Sequence, residues 1–299
     1  MNTLSGCVTG MHRSGTTWLG TLISKFDKMV AIHEPCNFGY GLKGVPRWYI
    51  DGRYSEDRDF VDRLLREIPA GSARFQRDFS IKRPVHGLAR LVLGNRSERE
   101  WRQALKDPEN RLLLKDPFLL MMVPYLAEKG LPCVVSVRHP AAILPSLNRM
   151  EWQMPLKHLE GRLSDAAQRA NPIGPMAETS LFWAEIYRPT LSYLRDGGNN
   201  VLVLSHEDMF EDVERTYQSI AKFLDLSDTD HRALNFARES TSASTATAEG
   251  KTLHQMSRDS RTLARSFRQK TSPEELKTSE LMLDGIYDEL RAFAAAHAL

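Results

Sequence analysis

Gly10-Met11-His12-Arg13-Ser14-Gly15-Thr16-Thr17 sets two glycines five positions apart, just ahead of two hydroxyl side chains, a spacing suited to cradling a phosphate. Glycines let the chain turn so that successive N–H groups converge on one point. A helix that follows adds the positive end of its dipole. A loop built to move a γ-phosphoryl group carries a lysine directly after the second glycine. Here Thr16 holds that position and the cation lies upstream, at Arg13. The cradle is present without the usual equipment for γ-phosphoryl transfer.

Other reactive side chains recur at the ends of strand-like runs. His33-Glu34-Pro35 follows the run Met29–His33. The proline disfavours helix at Glu34, so its carboxylate sits on a loop past a strand end, where open α/β sheets bind ligands. There it is a candidate general base, or else a capping or ion-paired glutamate. Lys115-Asp116-Pro117 follows the run Arg111–Lys115, and Arg138-His139-Pro140 follows residues 131–137. A guanidinium at such an exit holds a phosphate bidentately, and Ser146 in the next helix adds a hydroxyl; a surface charge opening a helix is the alternative for Arg138. Trp18 is either a face for a base to stack on or a core residue of the first helix.

The elements needed to position these groups are legible in the apolar pattern. Residues 4–9 read as a strand, and Trp18, Leu19, Leu22, Ile23 and Phe26 recur at helical spacing behind the loop. Residues 131–137 form the strongest strand, β-branched and bounded by Gly130, and 201–205 form another. Helices are expected after Lys115 (with Leu119, Leu120, Val123 and Leu126 on one face), at 141–150, at 177–194, and around Val213, Tyr217, Ile220 and Phe223. Ser272-Pro273-Glu274-Glu275 has the form of a helix start. Strands alternating with helices predict an α/β fold, a three-layer parallel sheet covered on both faces. Residues 1–299 read as a single domain. A helical insertion spans about 36–108, with helices near 56–68 and 97–106, and a cap loop and helix span about 240–299.

Composition excludes several function classes. With 40 basic and 38 acidic side chains in 299 residues, no general charge favours nucleic acid or a membrane surface. No apolar run is long enough to span a bilayer, and a strand begins almost at once where a signal peptide would lie. Cys7, Cys36 and Cys133 lack metal-type spacing and read as buried thiols. The expected location is cytoplasmic.

Taken together, these residues resemble the sulfotransferases that use 3′-phosphoadenosine 5′-phosphosulfate (PAPS), whose sheet is of P-loop nucleotide-hydrolase type. Arg13 to Trp18 is similar to the family's 5′-phosphosulfate loop, in the arginine form of its Golgi-type and bacterial branches. Arg138 and Ser146 match its 3′-phosphate site. His206-Glu207-Asp208-Met209 is similar to its Tyr-Glu-Asp-Leu segment, with His206 at the adenine-contacting tyrosine. Ser272 to Leu276 resembles the start of the C-terminal helix in many bacterial members.

The resemblance implies PAPS as co-substrate, adenosine 3′,5′-bisphosphate (PAP) as product, no metal, and a hydroxyl-bearing acceptor on a carbohydrate or secondary metabolite. It implies donor contacts from Arg13, Ser14, Gly15, Thr16, Thr17, Trp18, Arg138, Ser146 and His206, and a monomer or homodimer. Glu34 is similar to the catalytic glutamate of the tyrosylprotein branch. Arg13 then stabilises charge on the leaving phosphate, Lys115 touches the transferring group and Asp116 is the back-up base. The histidine base of the cytosolic branch has no counterpart at Lys115-Asp116-Pro117; His33, His86 and His12 are lesser candidates. The Arg-Lys-Gly closure of that branch is also absent, leaving Lys251, Arg258, Arg261 and Arg265 as a basic group. Competing readings are a P-loop kinase or nucleotide phosphotransferase, against which the missing loop lysine argues, and a non-catalytic nucleotide-binding protein.

Overall fold

A computed structural model describes residues 2–76, 96–154, 156–159, 161, 163–165, 167, 172–241 and 267–296. Five parallel strands form one sheet in the order β2-β3-β1-β4-β5: β1 Thr3–Thr9, β2 Met29–His33, β3 Arg111–Lys115, β4 Cys133–Val137 and β5 Val201–Ser205. β1 is central, flanked by β3 and β4. All five strands exit on the same edge, so the Gly10 loop, Glu34, Lys115, Arg138 and His206 are brought to one rim of the sheet. This is the rim where α/β sheets bind ligands.

The strands are apolar without interruption because both faces are covered. Alternation along each strand divides the core in two. Leu112, Leu114, Val135, Val137 and Val203 face one layer, and Leu113, Val134, Leu202 and Leu204 face the other. The first layer contains α2 Ser55–Ala70, α3 Arg96–Ala104, α4 Val123–Glu128, α5 Pro140–Arg149 and the long α6 Pro175–Arg195. The second layer contains α1 Thr16–Ile23, α7 His206–Glu211, α8 Val213–Leu224 and α9 Arg232–Glu239. Two C-terminal helices, α10 Pro273–Leu283 and α11 Ile286–Ala296, pack against α6 on the first side. Among the described residues no helix is long and apolar enough to cross a membrane.

Several local expectations shift. β4 begins at Cys133 rather than at residue 131, because the Leu131 amide closes back onto the Leu126 carbonyl and Pro132 offers only its carbonyl, to Cys7. After β3 the chain first makes a 3₁₀ turn, Pro117–Met122, capped by the Asp116 side chain on the Phe118 amide; α-helix follows only from Val123. α7, α9 and α11 are additional to the helices the apolar pattern predicts. The capping box at Ser272 and Glu275 is present, but the helix it starts ends at Asp284, in the left-handed region (φ 49°), before α11 begins. His86, Lys251, Arg258, Arg261, Arg265 and most of the cap loop lie outside the described residues.

Candidate active site

The loop after β1 needs its glycines. Gly10 has φ 147°, and a Cβ there would lie 2.4 Å from the Ser136 carbonyl oxygen of β4. Gly15 has φ 100°, and its Cβ would meet the His206 ring at 3.1 Å. Gly15 caps α1 without a side-chain acceptor, and the first turn holds no acidic residue. The first-turn amides and the helix dipole are therefore left for an external anion. Thr16 is buried and Thr17 half-buried at that turn. Ser136 Oγ donates to the Ser14 carbonyl at 2.5 Å, tying loop to sheet.

The second anion element lies beside the first. Arg138 donates from Nη1 to the Arg13 carbonyl at 2.9 Å, and Arg13 donates from Nε to Ser146 Oγ at 2.8 Å. Arg13, Arg138 and Ser146 thus form one connected group. Burial lowers the Arg138 pKa to about 10, opposed by the Glu207 charge and reinforced by Arg13, so the guanidinium stays charged at neutral pH. Its Nε is buried with no hydrogen-bond partner among the described residues. A half-buried cation whose buried Nε keeps an open donor is suited to holding an anion. His206 opens α7 next to Gly15, and burial, then Arg138, holds its pKa well below the usual histidine value. Its Nδ1 is buried without a partner among the described residues.

Trp18 sits differently from a free stacking face. It is 6% exposed, edge-on to Phe210 with centroids 4.9 Å apart, and its indole N–H donates to Ser240 Oγ at 2.9 Å. The core reading of this residue describes its packing.

Glu34 stands at the β2 exit with φ 50°, and Arg13 has φ 72°. Left-handed backbone at non-glycine residues costs on the order of 1–3 kcal/mol and clusters at functional sites. The Glu34 amide donates to the Lys115 carbonyl at 2.8 Å, which fixes the turn against β3. Its carboxylate meets Lys115 Nζ at 3.0 Å, His33 Nε2 at 3.4 Å, Asn37 Nδ2 at 3.1 Å and the Tyr40 hydroxyl at 2.5 Å. Burial pushes this carboxyl up, but the charges of Lys115 and His33 and the Tyr40 hydrogen bond outweigh it and hold the pKa at about 2. Glu34 is therefore ionised and oriented.

Asp116 is fully buried, and its two oxygens accept the Cys36 amide at 2.5 Å and the Phe118 amide at 2.9 Å. Burial and the Glu34 charge raise its pKa to about 7. It fastens the β2 and β3 exits together. His12 is half-buried: Nδ1 is hydrogen-bonded to the Tyr49 hydroxyl at 2.7 Å, and desolvation lowers its pKa to about 4. His33 is turned toward Glu34.

Residues that carry no motif complete the site. The Tyr187 hydroxyl of α6 accepts from the Met11 amide at 2.9 Å and donates to the Ser136 carbonyl at 2.6 Å, and Trp183, one turn earlier, donates to the Arg138 carbonyl at 2.9 Å. One helix therefore grips both the loop and the β4 exit. Their spacing, four apart, places both rings on one helix face, which is a signal present in the sequence. Gly20 on α1 lets the Lys115 stem pass: a Cβ there would come within 2.8 Å of Lys115 Cγ.

Residues 7–279 match the profile of the sulfotransferase domain family, and the chain belongs to that family. Among curated proteins none matches the sequence. Among solved structures it is similar to the sulfotransferase domain of the Synechococcus PCC 7002 olefin synthase, at 18% identity and TM-score 0.45 over 94% of each chain. It is also similar to the sulfotransferase domain from the curacin biosynthetic pathway (14%, TM-score 0.47, 95% of this chain and 99% of that one). Mouse sulfotransferase SULT7A1 complexed with PAP aligns at 14% identity and TM-score 0.48, covering 99% of this chain and 89% of that one.

Proposed function

We propose that the protein moves a sulfuryl group from PAPS to an acceptor hydroxyl, with Glu34 as general base. The observation that carries the reading is the connected group Arg13, Arg138 and Ser146 beside the uncapped start of α1. A donor with a phosphate at each end of a nucleoside needs two anion sites close together, and a γ-phosphoryl donor does not. On this reading Arg13 to Thr17 take the 5′-phosphosulfate, Arg138 and Ser146 take the 3′-phosphate, and His206 contacts the adenine. Lys115 reaches the transferring group.

In the reaction the acceptor oxygen attacks sulfur in line, and its proton passes to a Glu34 oxygen. The bond from sulfur to the 5′-phosphate oxygen breaks, and PAP leaves with the electron pair. Arg13 and the loop amides stabilise the charge that develops on that oxygen. A carboxylate with a pKa of about 2 serves as base because sulfuryl transfer, like phosphoryl transfer, has a loose transition state. The acceptor proton becomes strongly acidic as the S–O bond forms and is taken late. Asp116, its oxygens held by amides, keeps the supporting place. The three buried free cysteines, Cys7, Cys36 and Cys133, fit the cytoplasmic setting proposed for this chemistry.

Calorimetric titration tests the reading. PAP binding at micromolar or tighter affinity, with no binding of ATP in the presence of magnesium, is the expected result. Tight ATP binding with weak PAP binding overturns it in favour of a kinase, and binding of PAP without turnover of PAPS on any acceptor favours a non-catalytic role.

A further inference from the structure

The Glu34 carboxylate is crowded for a base. Oε1 faces Lys115 Nζ at 3.0 Å and His33 Nε2 at 3.4 Å, and Oε2 accepts from Asn37 Nδ2 at 3.1 Å and from the Tyr40 hydroxyl at 2.5 Å. A carboxylate has about four lone-pair positions, and four groups already stand at them. A proton coming from an acceptor hydroxyl therefore meets one of these groups before it meets the carboxylate. The Lys115 ammonium and the Asn37 amide nitrogen have no lone pair to receive it. The His33 nitrogen faces Oε1 from beyond ordinary hydrogen-bond length. The phenol oxygen differs from all three, because a hydroxyl can take one proton as it gives up another. Its bond to Oε2 also falls in the short, charge-assisted class, in which the proton has least far to travel.

The chain is wound to put that ring in place. The Asn37 amide donates to the Glu34 carbonyl at 3.1 Å, the Gly41 amide to the Asn37 carbonyl at 2.7 Å and the Leu42 amide to the Pro35 carbonyl at 2.7 Å. Gly41 has no room for a side chain: a Cβ there would run into the Pro35 carbonyl oxygen and lie 2.6 Å from that of Asn37. Asn37 joins this turn to the carboxylate, since its Oδ1 accepts the Gly39 amide at 2.9 Å while its Nδ2 holds Glu34. The turn lies at the surface. Phe38 and Gly39 are exposed and Tyr40 is half-buried, so an acceptor entering from solvent reaches this phenol.

We propose that Tyr40 is a catalytic residue that passes the acceptor's proton to Glu34. As the acceptor oxygen bonds to sulfur, its O–H bond breaks and the proton goes to the Tyr40 oxygen. The Tyr40 O–H bond breaks in turn, and its proton goes to Glu34 Oε2. The bond from sulfur to the 5′-phosphate oxygen breaks and PAP leaves with the electron pair, so Tyr40 ends as it began and Glu34 carries the proton. The proposal rests on the sulfotransferase reading and names the route by which its base is reached.

The test compares the full chain with Tyr40→Phe in single turnovers, enzyme in excess over PAPS, with water and with methanol as the acceptor. Lys115, His33 and Asn37 still hold the carboxylate in this variant, so loss of the hydroxyl is separated from loss of position. Both rates are expected to fall by about 10²-fold, as for a lost proton-transfer group, with PAP affinity changed by less than about three-fold and melting well above the assay temperature. The methanol rate is then followed across mixtures of light and heavy water. Two protons in motion make this plot bowed for the unaltered chain, and one makes it straight for Tyr40→Phe. A Tyr40→Phe rate within about three-fold of the unaltered chain overturns the relay, as does a plot of the same shape in both chains, which is what a residue that only orients Glu34 would give. An unaltered chain that binds no PAP, or consumes no PAPS, strikes the sulfotransferase reading itself and takes this inference with it.

Discussion

The Arg138 guanidinium donates to the main-chain carbonyl of Arg13 at 2.9 Å, so the cation at the β4 exit holds in place the backbone of the cation in the β1 loop. That backbone is in the left-handed region, φ 72°, which a free loop would leave. The β1 loop and the β4 exit are thus a single mechanical unit. Trp183 and Tyr187 of α6 hold its outer side.

Arg138→Ala should therefore injure both ends of the donor. On the proposed reading the 3′-phosphate loses its fork, and the Arg13 carbonyl loses its donor. PAP affinity is expected to fall by about 10²-fold, as for a lost charged hydrogen bond with its geometry. Arg138→Lys should recover only part of this, because an ammonium keeps the charge without the planar pair of donors. Calorimetry with PAP checks both; unchanged affinity in Arg138→Ala removes the residue from the donor site.

The exits of all five strands were legible because each carries a local signal: an apolar run, then Pro, Gly or a charged residue. Glu34-Pro35 and Asp116-Pro117 are such exits, and the structure sets them side by side. What the sequence did not disclose was of two kinds. Contacts across large separations, such as Tyr187 to Met11 or Gly20 to Lys115, leave no local pattern. And a residue type does not reveal its own surroundings: Asp116 and Glu34 are both carboxylates at strand exits, yet one is buried on two amides and the other is held by Lys115, His33 and Tyr40. Trp18 shows the same limit, since an aromatic two residues into a helix reads equally as platform or core.

Glu34→Gln should separate chemistry from donor binding. Turnover is expected to fall by about 10²-fold or more, as for a lost general base, with PAP affinity changed by less than about three-fold. The substitution also leaves the Lys115 ammonium, only 5% exposed, facing a neutral amide. Breaking a buried pair from one side costs about 3–5 kcal/mol, so the melting temperature should drop measurably. Turnover near that of the unaltered chain would exclude Glu34 as base.

The pH dependence follows from the same two carboxyls. Glu34 has its pKa lowered from 4.5 to about 2, so its ionised form, and the stability it contributes, is fully present above about pH 4.5 and is lost only as pH falls toward 2. Asp116 has its pKa raised from 3.8 to about 7, so its contribution runs the other way, and stability declines as pH rises from about 4 to 7. With Glu34 as base, kcat shows no acidic limb from this group down to about pH 5. A limb centred near 7 that disappears in Asp116→Asn would transfer the role to Asp116.

Gly20→Ala tests whether the placement of Lys115 matters, without touching a charged group. Alanine is favoured over glycine in a helix interior by about 1 kcal/mol, so on α1 alone the change stabilises. The added Cβ, however, would stand 2.8 Å from Lys115 Cγ and 3.4 Å from Lys115 Cβ, closer than carbon atoms rest, and the lysine stem must shift. The ammonium it carries is 3.0 Å from Glu34 Oε1 and is the group proposed to meet the transferring sulfuryl. A displacement of about 1 Å at a reacting centre costs up to about 10²-fold in rate. Turnover should therefore fall by about 10- to 100-fold, while the melting temperature moves by no more than about 3 °C, because the helix gain and the displaced lysine oppose each other. PAP affinity should hold, since neither the loop glycines nor Arg138 is disturbed. Unimpaired turnover would show that Lys115 acts with latitude in its position, and a collapse in melting temperature with proportionate loss of PAP binding would make Gly20 a packing residue only.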